Sequence, residues 1–306
     1  MMHLFYFIFL ITAGSLSSDV KAEPTDLDKL KQKSWFSGAK NCQLDINPAI
    51  EVYQFNQDTY ILRQNKCIHY EAPFMYLLFG EKRALLIDTG ATPEQNKFPL
   101  AEKIKKIMSK RAKKIKLART SLPLLIAHSH SHGDHIAGDN QFKDFKDVEV
   151  IEVNDTKALI NSFSFNNWPL ENADIDLGQR IITIIPTPGH QAQAITFYDK
   201  KTSFLLTGDS IYPGRLYIRD WQEYKHSIKR IVNFTQTHNI AAILGAHIEM
   251  STSPNVDYPV ESTYHPNERS LVLTVDDLTR LSHQLIKLGD TPTNVGLGNM
   301  IIYPVN

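Results

Sequence analysis

The sequence predicts an α/β fold, an αββα sandwich of four layers, and three observations carry that prediction. Short runs rich in β-branched and aromatic residues fall in two blocks along the chain, each followed by helix-like segments. Strand blocks and helices in that order pack as two sheets face to face with helices outside. Several of the apolar runs end in a carboxylate or an imidazole, which puts reactive groups at the ends of buried strands.

The first segment is "LFYFIFLI", Leu4 to Ile11, eight consecutive apolar residues followed by "TAGSLSSDVKAEP". A short apolar core, then small and polar residues ending in Val20-Lys21-Ala22, reads as a secretory signal over 1–22. The run is too short to cross a bilayer, which takes about 20 apolar residues. The start, "MMH", offers only the terminal amine as positive charge, so a structureless or membrane-associated tail is the alternative. The expectation is an exported protein, periplasmic or secreted. It has one domain over 23–306, a short C-terminal extension over 248–306, and no stable membrane insertion once the signal is removed.

A polar, broken lead-in runs from Pro24 to Cys42. Cys42 and Cys67 are the only cysteines, and in an oxidising compartment they are expected to pair; two free thiols are the alternative. On the chain-entropy model such a bridge stabilises the fold by about 3 kcal/mol.

Strand-like runs follow at Ile50–Asn56, Thr59–Asn65, Phe74–Gly80 and Arg83–Gly90, separated by turn-formers. Leu100–Arg119 reads as a helix, with Ile104, Ile107, Met108 and Ile115 near helical spacing. Its nine basic residues between Lys103 and Arg119 read as a solvated outer face. The second block has strand-like runs at Leu122–His128, Val148–Val153, Arg180–Pro186, Ala194–Asp199, Ser203–Asp209 and Ala241–His247. Helix-like segments are Asp155–Asn161, Glu223–His238 and Val275–Leu288. With 33 basic and 33 acidic residues the chain has no net pull toward nucleic acid or an anionic membrane. A small-molecule substrate is the expected partner; the oligomeric state is not readable.

The chemistry concentrates in "SLPLLIAHSHSHGDHIAGDN", Ser121 to Asn140. Two registers fit. His128, His130 and His132 could share one face of an extended segment. Alternatively His130, His132, Asp134 and His135 form the working set, with Gly133 letting the backbone turn between them. The second register is adopted, and His128 then supports the site from the strand behind it. Imidazole and carboxylate are natural ligands of Zn²⁺. His130 and His132 supply two ligands for one ion, with His190 the best third. Asp134, His135 and His247 suit a second ion, and Asp209 has an oxygen for each. The expected cofactor is two Zn²⁺ per chain, with other divalent metals possible.

"SHSHGDH", "TPGH", "TGDS" and "GAH", in that order, resemble the metallo-β-lactamase-fold hydrolases over roughly Ile50 to His247. The resemblance implies the αββα sandwich and a dinuclear site at the strand edge: His130, His132 and His190 on one metal, Asp134, His135 and His247 on the other, Asp209 bridging. "LLIDTG" looks like the family's early strand, which makes Asp88 a support of the metal site. An Asp in "TGDS" is similar to thioesterases, lactonases and hydroxyacylglutathione hydrolases; many true β-lactamases carry serine or cysteine in their second site. Only 59 residues follow His247, short of the helical domain a glutathione thioesterase would carry.

The implied activity is hydrolysis of an ester, thioester, lactone or lactam by a hydroxide shared between the ions, with Asp134 orienting the nucleophile and passing its proton. Alternatives are a periplasmic β-lactamase and a mononuclear iron sulfur dioxygenase-like protein. Ser210 to Tyr224, directly after Asp209, is aromatic-rich and is expected to wall the pocket. It supplies Tyr212, Arg215, Tyr217, Arg219 and Trp221 as candidate substrate contacts, with Tyr264 at the same mouth. The alternative for the aromatics is plain packing.

Overall fold

The computed structural model describes residue 1 and residues 23–116, 122–153 and 155–305. The expected signal segment lies outside the described residues apart from Met1, as does Arg119 at the end of the expected basic helix.

Strands β1 (Ile50–Asn56), β2 (Thr59–Gln64), β3 (Phe74–Phe79), β4 (Ala84–Ile87), β5 (Leu124–Ala127) and β6 (Val148–Val150) form a six-stranded sheet in that order. The first four meet antiparallel, and β4, β5 and β6 are parallel. Parallel neighbours need a crossover, supplied between β4 and β5 by helix α2 (Leu100–Lys114); the short helix α1 (Asp26–Lys31) precedes β1, and α4 (Thr156–Phe163) follows β6. A second six-stranded sheet contains β7 (Ala173–Asp176), β8 (Ile181–Pro186), β9 (Ile195–Asp199), β10 (Phe204–Leu206), β12 (Ala242–Leu244) and β13 (Val272–Leu273), in the order 13-12-10-9-8-7.

The side-chain alternation of each strand assigns its two faces. Ile61, Phe74, Leu78 and Leu85 of the first sheet pack against Ile182, Ile184, Phe197 and Leu206 of the second. Their sequence neighbours Leu62, Leu77 and Leu86 point the other way, onto Ile104 and Met108 of α2. On the far side, Ile185, Tyr198 and Leu205 meet helices α5 (Trp221–Thr235) and α6 (Val275–Leu288). Three stacked apolar layers separate four layers of structure, so the fold is the αββα sandwich. Strands covered on both faces have no polar side, which is why β2 to β5 are buried at every residue.

One buried ion pair ties the two sheets together. Arg180 places Nε and Nη2 on the Asp199 carboxylate at 3.0 and 2.6 Å. Its Nη1 donates to the Asp58 and Phe79 carbonyls, and Nη2 also to Thr59 Oγ1.

Two features differ from the sequence reading. Residues 248–306 are woven into the body: β13 joins the second sheet, and β15 (Ile301–Pro304) pairs with β11 (Arg215–Ile218) and β14 (Val295–Gly296) in a third, small sheet. The stretch after Asp209 therefore contains a strand whose partner lies 86 residues away, Arg215 facing Ile301, a pairing no local pattern announces. Among the described residues, no helix is long and apolar enough to cross a membrane.

Candidate metal centre

Strand ends from both sheets meet at one edge. The stretches after β4, β5, β8, β10 and β12 bring Asp88, the histidine cluster, His190, Asp209 and His247 together. The chain leaves β5 extended through His130 and His132, then enters a single helical turn, α3 (Gly133–Ile136), with His132 as its N-cap. That turn, rather than glycine freedom, redirects Asp134 and His135: Gly133 is helical, and a Cβ built on it meets nothing. Freedom is required at Gly208. It has a φ of +50°, and an added Cβ would lie 2.5 Å from Ser129, beside the turn that delivers Asp209.

The donor atoms fall into two groups: His130, His132 and His190, and Asp134, His135, Asp209 and His247. Within each group they lie within 4.8 Å of one another. In the first, His132 Nδ1 is 2.9 Å from His130 Nε2 and 3.0 Å from His190 Nε2. In the second, Asp134 Oδ2 is 3.2 Å from both His135 Nε2 and His247 Nε2. Asp209 faces both groups. Its Oδ1 is 3.3 Å from His135 and 3.2 Å from His247, and its Oδ2 is 3.5 Å from His190 and 3.8 Å from His130.

The outer ring nitrogens assign the tautomers. His190 Nδ1 donates to the Tyr217 carbonyl at 2.8 Å, His247 Nδ1 to the Glu71 carbonyl at 3.0 Å, and His135 Nδ1 to Asp88 Oδ2 at 2.9 Å. Each Nε2 is then the ring nitrogen that faces inward, available to a cation that displaces any proton there. Asp88 also accepts from Ser129 N at 2.7 Å and Ser129 Oγ at 2.9 Å. His128 stands behind the site. Its Nδ1 donates to the His135 carbonyl at 3.1 Å, and its Nε2 lies 3.1 Å from Asp139 without hydrogen-bond geometry.

These groups perturb one another strongly. Burial disfavours the ionised form of Asp209, but His247, His135 and His130 outweigh it and hold the carboxyl well below its usual range. Asp134 behaves alike: burial opposes ionisation, and His135 and His247 overcome it. Burial also opposes charge on His135, yet Asp134, Asp209 and Asp88 push its pKa well above the ordinary imidazole value. His130 moves the other way, pushed well down by burial and by His135.

A divalent cation fits this donor set. Among the described residues, the buried His135 Nε2 and Asp209 Oδ1 lack any hydrogen-bond partner, although each lies 3.2–3.3 Å from other polar atoms of the group. In the first group, His130 Nε2 and His190 Nε2 both face His132 Nδ1, at 2.9 and 3.0 Å, and one proton on that nitrogen serves only one of them, whereas a shared cation serves all three.

The centre floors a cavity of about 370 Å³. Of the expected contacts, Tyr212, Tyr217 and Arg219 line it. Tyr212 is fully buried and its hydroxyl donates to the Arg215 carbonyl, which makes it a wall. Arg219 is exposed at the rim. Arg215 does not serve as a free clamp: Glu249, Asp257, the Tyr258 carbonyl and Tyr217 Oη occupy its guanidinium. Trp221 starts α5 and donates to the Gly289 carbonyl, packed in the outer core. Tyr264 bridges to Gly38 beneath Lys40. Cys42 and Cys67 are bonded, S–S 2.14 Å. The sequence reading missed Glu71, which borders the cavity and orients His247 through its carbonyl, and Glu249, which also borders it. Glu249 stands two residues after His247, the spacing that puts two side chains on one face of an extended segment.

The description "Metallo-beta-lactamase superfamily" matches residues 71–236, more than half of the chain. Six of the seven donor residues lie inside that span, and His247 lies just beyond it. The chain is 24% identical over 210 residues to the human acyl-coenzyme A thioesterase MBLAC2, covering 56% of this chain and 72% of that protein. It is 28% identical over 124 residues to hydroxyacylglutathione hydrolase of Bdellovibrio bacteriovorus, covering 40% of this chain and 46% of that protein, so it spans about half of this bacterial relative. Among solved structures it is similar to the metallo-beta-lactamase from Pontibacter korlensis, with a TM-score of 0.49 and 17% identity, covering 78% of this chain and 99% of that one. From its sandwich and its strand-end donors to the matched span, the chain belongs to the metallo-beta-lactamase superfamily.

Proposed function

We propose that this enzyme, a hydrolase of its superfamily, is an exported protein that holds two divalent metal ions, zinc by preference, and cleaves an ester, thioester, lactone or lactam. The observation that carries the reading is the pair of buried, partnerless atoms His135 Nε2 and Asp209 Oδ1, with Asp209 turned toward both donor groups. His130, His132 and His190 would hold one ion, Asp134, His135 and His247 the other, and Asp209 would serve both. When bound, such ions supply Lewis acidity and make water a nucleophile near neutral pH.

The chain's own groups do the rest. Asp134, kept ionised by His135 and His247, borders the cavity and accepts a proton from the attacking water, then delivers it toward the leaving group. Arg219 at the rim meets an anionic part of the substrate. The names of the two relatives, a thioesterase and a hydroxyacylglutathione hydrolase, support hydrolysis and put thioesters first to test. The apolar run Leu4–Ile11 and the Cys42–Cys67 bridge support export to an oxidising compartment.

The test is metal analysis of purified protein together with a panel of thioesters, esters, lactones and lactams, with and without chelator. About two zinc ions per chain and chelator-sensitive turnover are expected. One iron per chain, or no turnover of any compound by metal-loaded protein, would end the reading. His132→Ala is expected to lose metal and activity together; full turnover in that variant would mean the wrong ligand register.

A further inference from the structure

A second chamber, of about 110 Å³, shares Glu71, Tyr217 and Glu249 with the catalytic cavity. Three buried polar groups line it, Arg215, Lys66 and His265. Lys66 is 2% exposed, and among the described residues its ammonium reaches only the Tyr70 carbonyl and Glu268 Oε1, both at 3.5 Å. An ammonium has three N–H donors and normally bonds at 2.7–3.2 Å. Glu268 cannot come closer on its behalf. Arg63 already binds both its oxygens at 2.6 and 2.7 Å, and His265 Nδ1 donates to it at 3.0 Å. His265 is 5% exposed, and its Nε2 has no partner. With Nδ1 donating, and with burial favouring the neutral ring, that Nε2 is an acceptor.

The chamber therefore offers an under-used donor and an unpaired acceptor. Its walls also hold acids, Glu71, Glu249 and Glu261, against two cations, Lys66 and Arg215. Arg215 is fully engaged by Glu249 and Asp257. That balance disfavours a carboxylate and suits a neutral group that both accepts and donates. The bridge from Cys42 to Cys67 and the hydrogen bond from Cys67 N to Asn65 fix the loop carrying Lys66 and Glu71.

The geometry points to a specificity pocket for a neutral polar arm of the substrate, a primary carboxamide or its like, whose carbonyl accepts from Lys66 and whose N–H donates to His265 Nε2. The inference rests on the hydrolase reading only in assigning the arm to a substrate.

The experiment uses three thioesters identical except at the far end of the acyl chain: methyl, primary carboxamide and carboxylate. With zinc-loaded full-length protein, kcat/KM should be about tenfold higher for the carboxamide than for the methyl compound, with the carboxylate below the carboxamide. Lys66→Met should bring the carboxamide-to-methyl ratio to about one, and the ratio is insensitive to any loss of folded enzyme. Equal values across the wild-type series, a carboxylate preference, or an unchanged ratio in the variant overturns the assignment. If Lys66→Met does not fold, His265→Phe is read by the same ratio. If no thioester turns over, thioesters are excluded as the substrate class while the wider hydrolase reading stands on the full panel, and calorimetric Kd values for the same three compounds decide the chamber: the same order sustains it, equal affinities sink it.

Discussion

Replacing Asp88 by Asn removes one negative charge and almost nothing else, which makes it a sharp test of how the centre is tuned. Asp88 has a φ of +64°, a left-handed conformation that Asn tolerates as well as Asp, so the backbone has no reason to move. Its two oxygens accept three hydrogen bonds, from Ser129 N, Ser129 Oγ and His135 Nδ1. Asn offers one oxygen and one NH₂. If the oxygen stays on Ser129 N, the NH₂ meets the Nδ1–H of His135, and the imidazole must shift its proton to Nε2. There the proton faces the Asp134 and Asp209 carboxylates, 3.2 and 3.3 Å away, and occupies the lone pair that a cation needs. If the amide is flipped, the buried Ser129 N–H loses its acceptor at a cost of about 1–3 kcal/mol. Either outcome weakens the centre, by about 10- to 100-fold in metal affinity, or about 1.4–2.7 kcal/mol. Competition with a chromogenic chelator measures the affinity, and long-range ¹H–¹⁵N spectra of His135 report the tautomer. Wild-type affinity with His135 still protonated at Nδ1 would refute the reasoning.

Two further predictions concern stability. Asp199→Ala strands the buried Arg180 guanidinium between the sheets and should cost about 3–5 kcal/mol, near 10 °C in Tm, whereas the exposed Asp174→Ala should stay within about 0.5 kcal/mol; a loss under about 1 kcal/mol at Asp199 would contradict the clamp. The Glu268 side chain is 7% exposed, and this burial opposes its charge, but Arg63 and its other partners hold its pKa down at about 2. Because the folded value is depressed, its contribution, about 3 kcal/mol, is complete above the unfolded carboxyl pKa near 4.5 and is lost as pH falls from there through 2. Urea midpoints between pH 5 and 2.5 should fall more steeply for wild type than for Glu268→Gln, and parallel slopes would exclude the assignment.

The sequence determined the parts that local pattern and chemistry encode. Runs such as Ile50–Asn56 and Val275–Leu288 carry their own periodicity and end where the structure ends them. The convergence of strand-end acids and imidazoles was legible because so many ligating side chains behind apolar runs have no common explanation other than a shared ion. The fold class followed from the order of the blocks. What only the tertiary structure decided depends on partners remote in the chain. β11 exists because β15 pairs with it, and Arg215 is unavailable to substrate because Glu249 and Asp257 reach it first. The Glu71 carbonyl orients His247 from 176 residues away, and every residue has a carbonyl, so no residue type could announce it. A side chain's chemistry is written in its identity, whereas whether its hydrogen bonds are already taken is settled only when the sheets close.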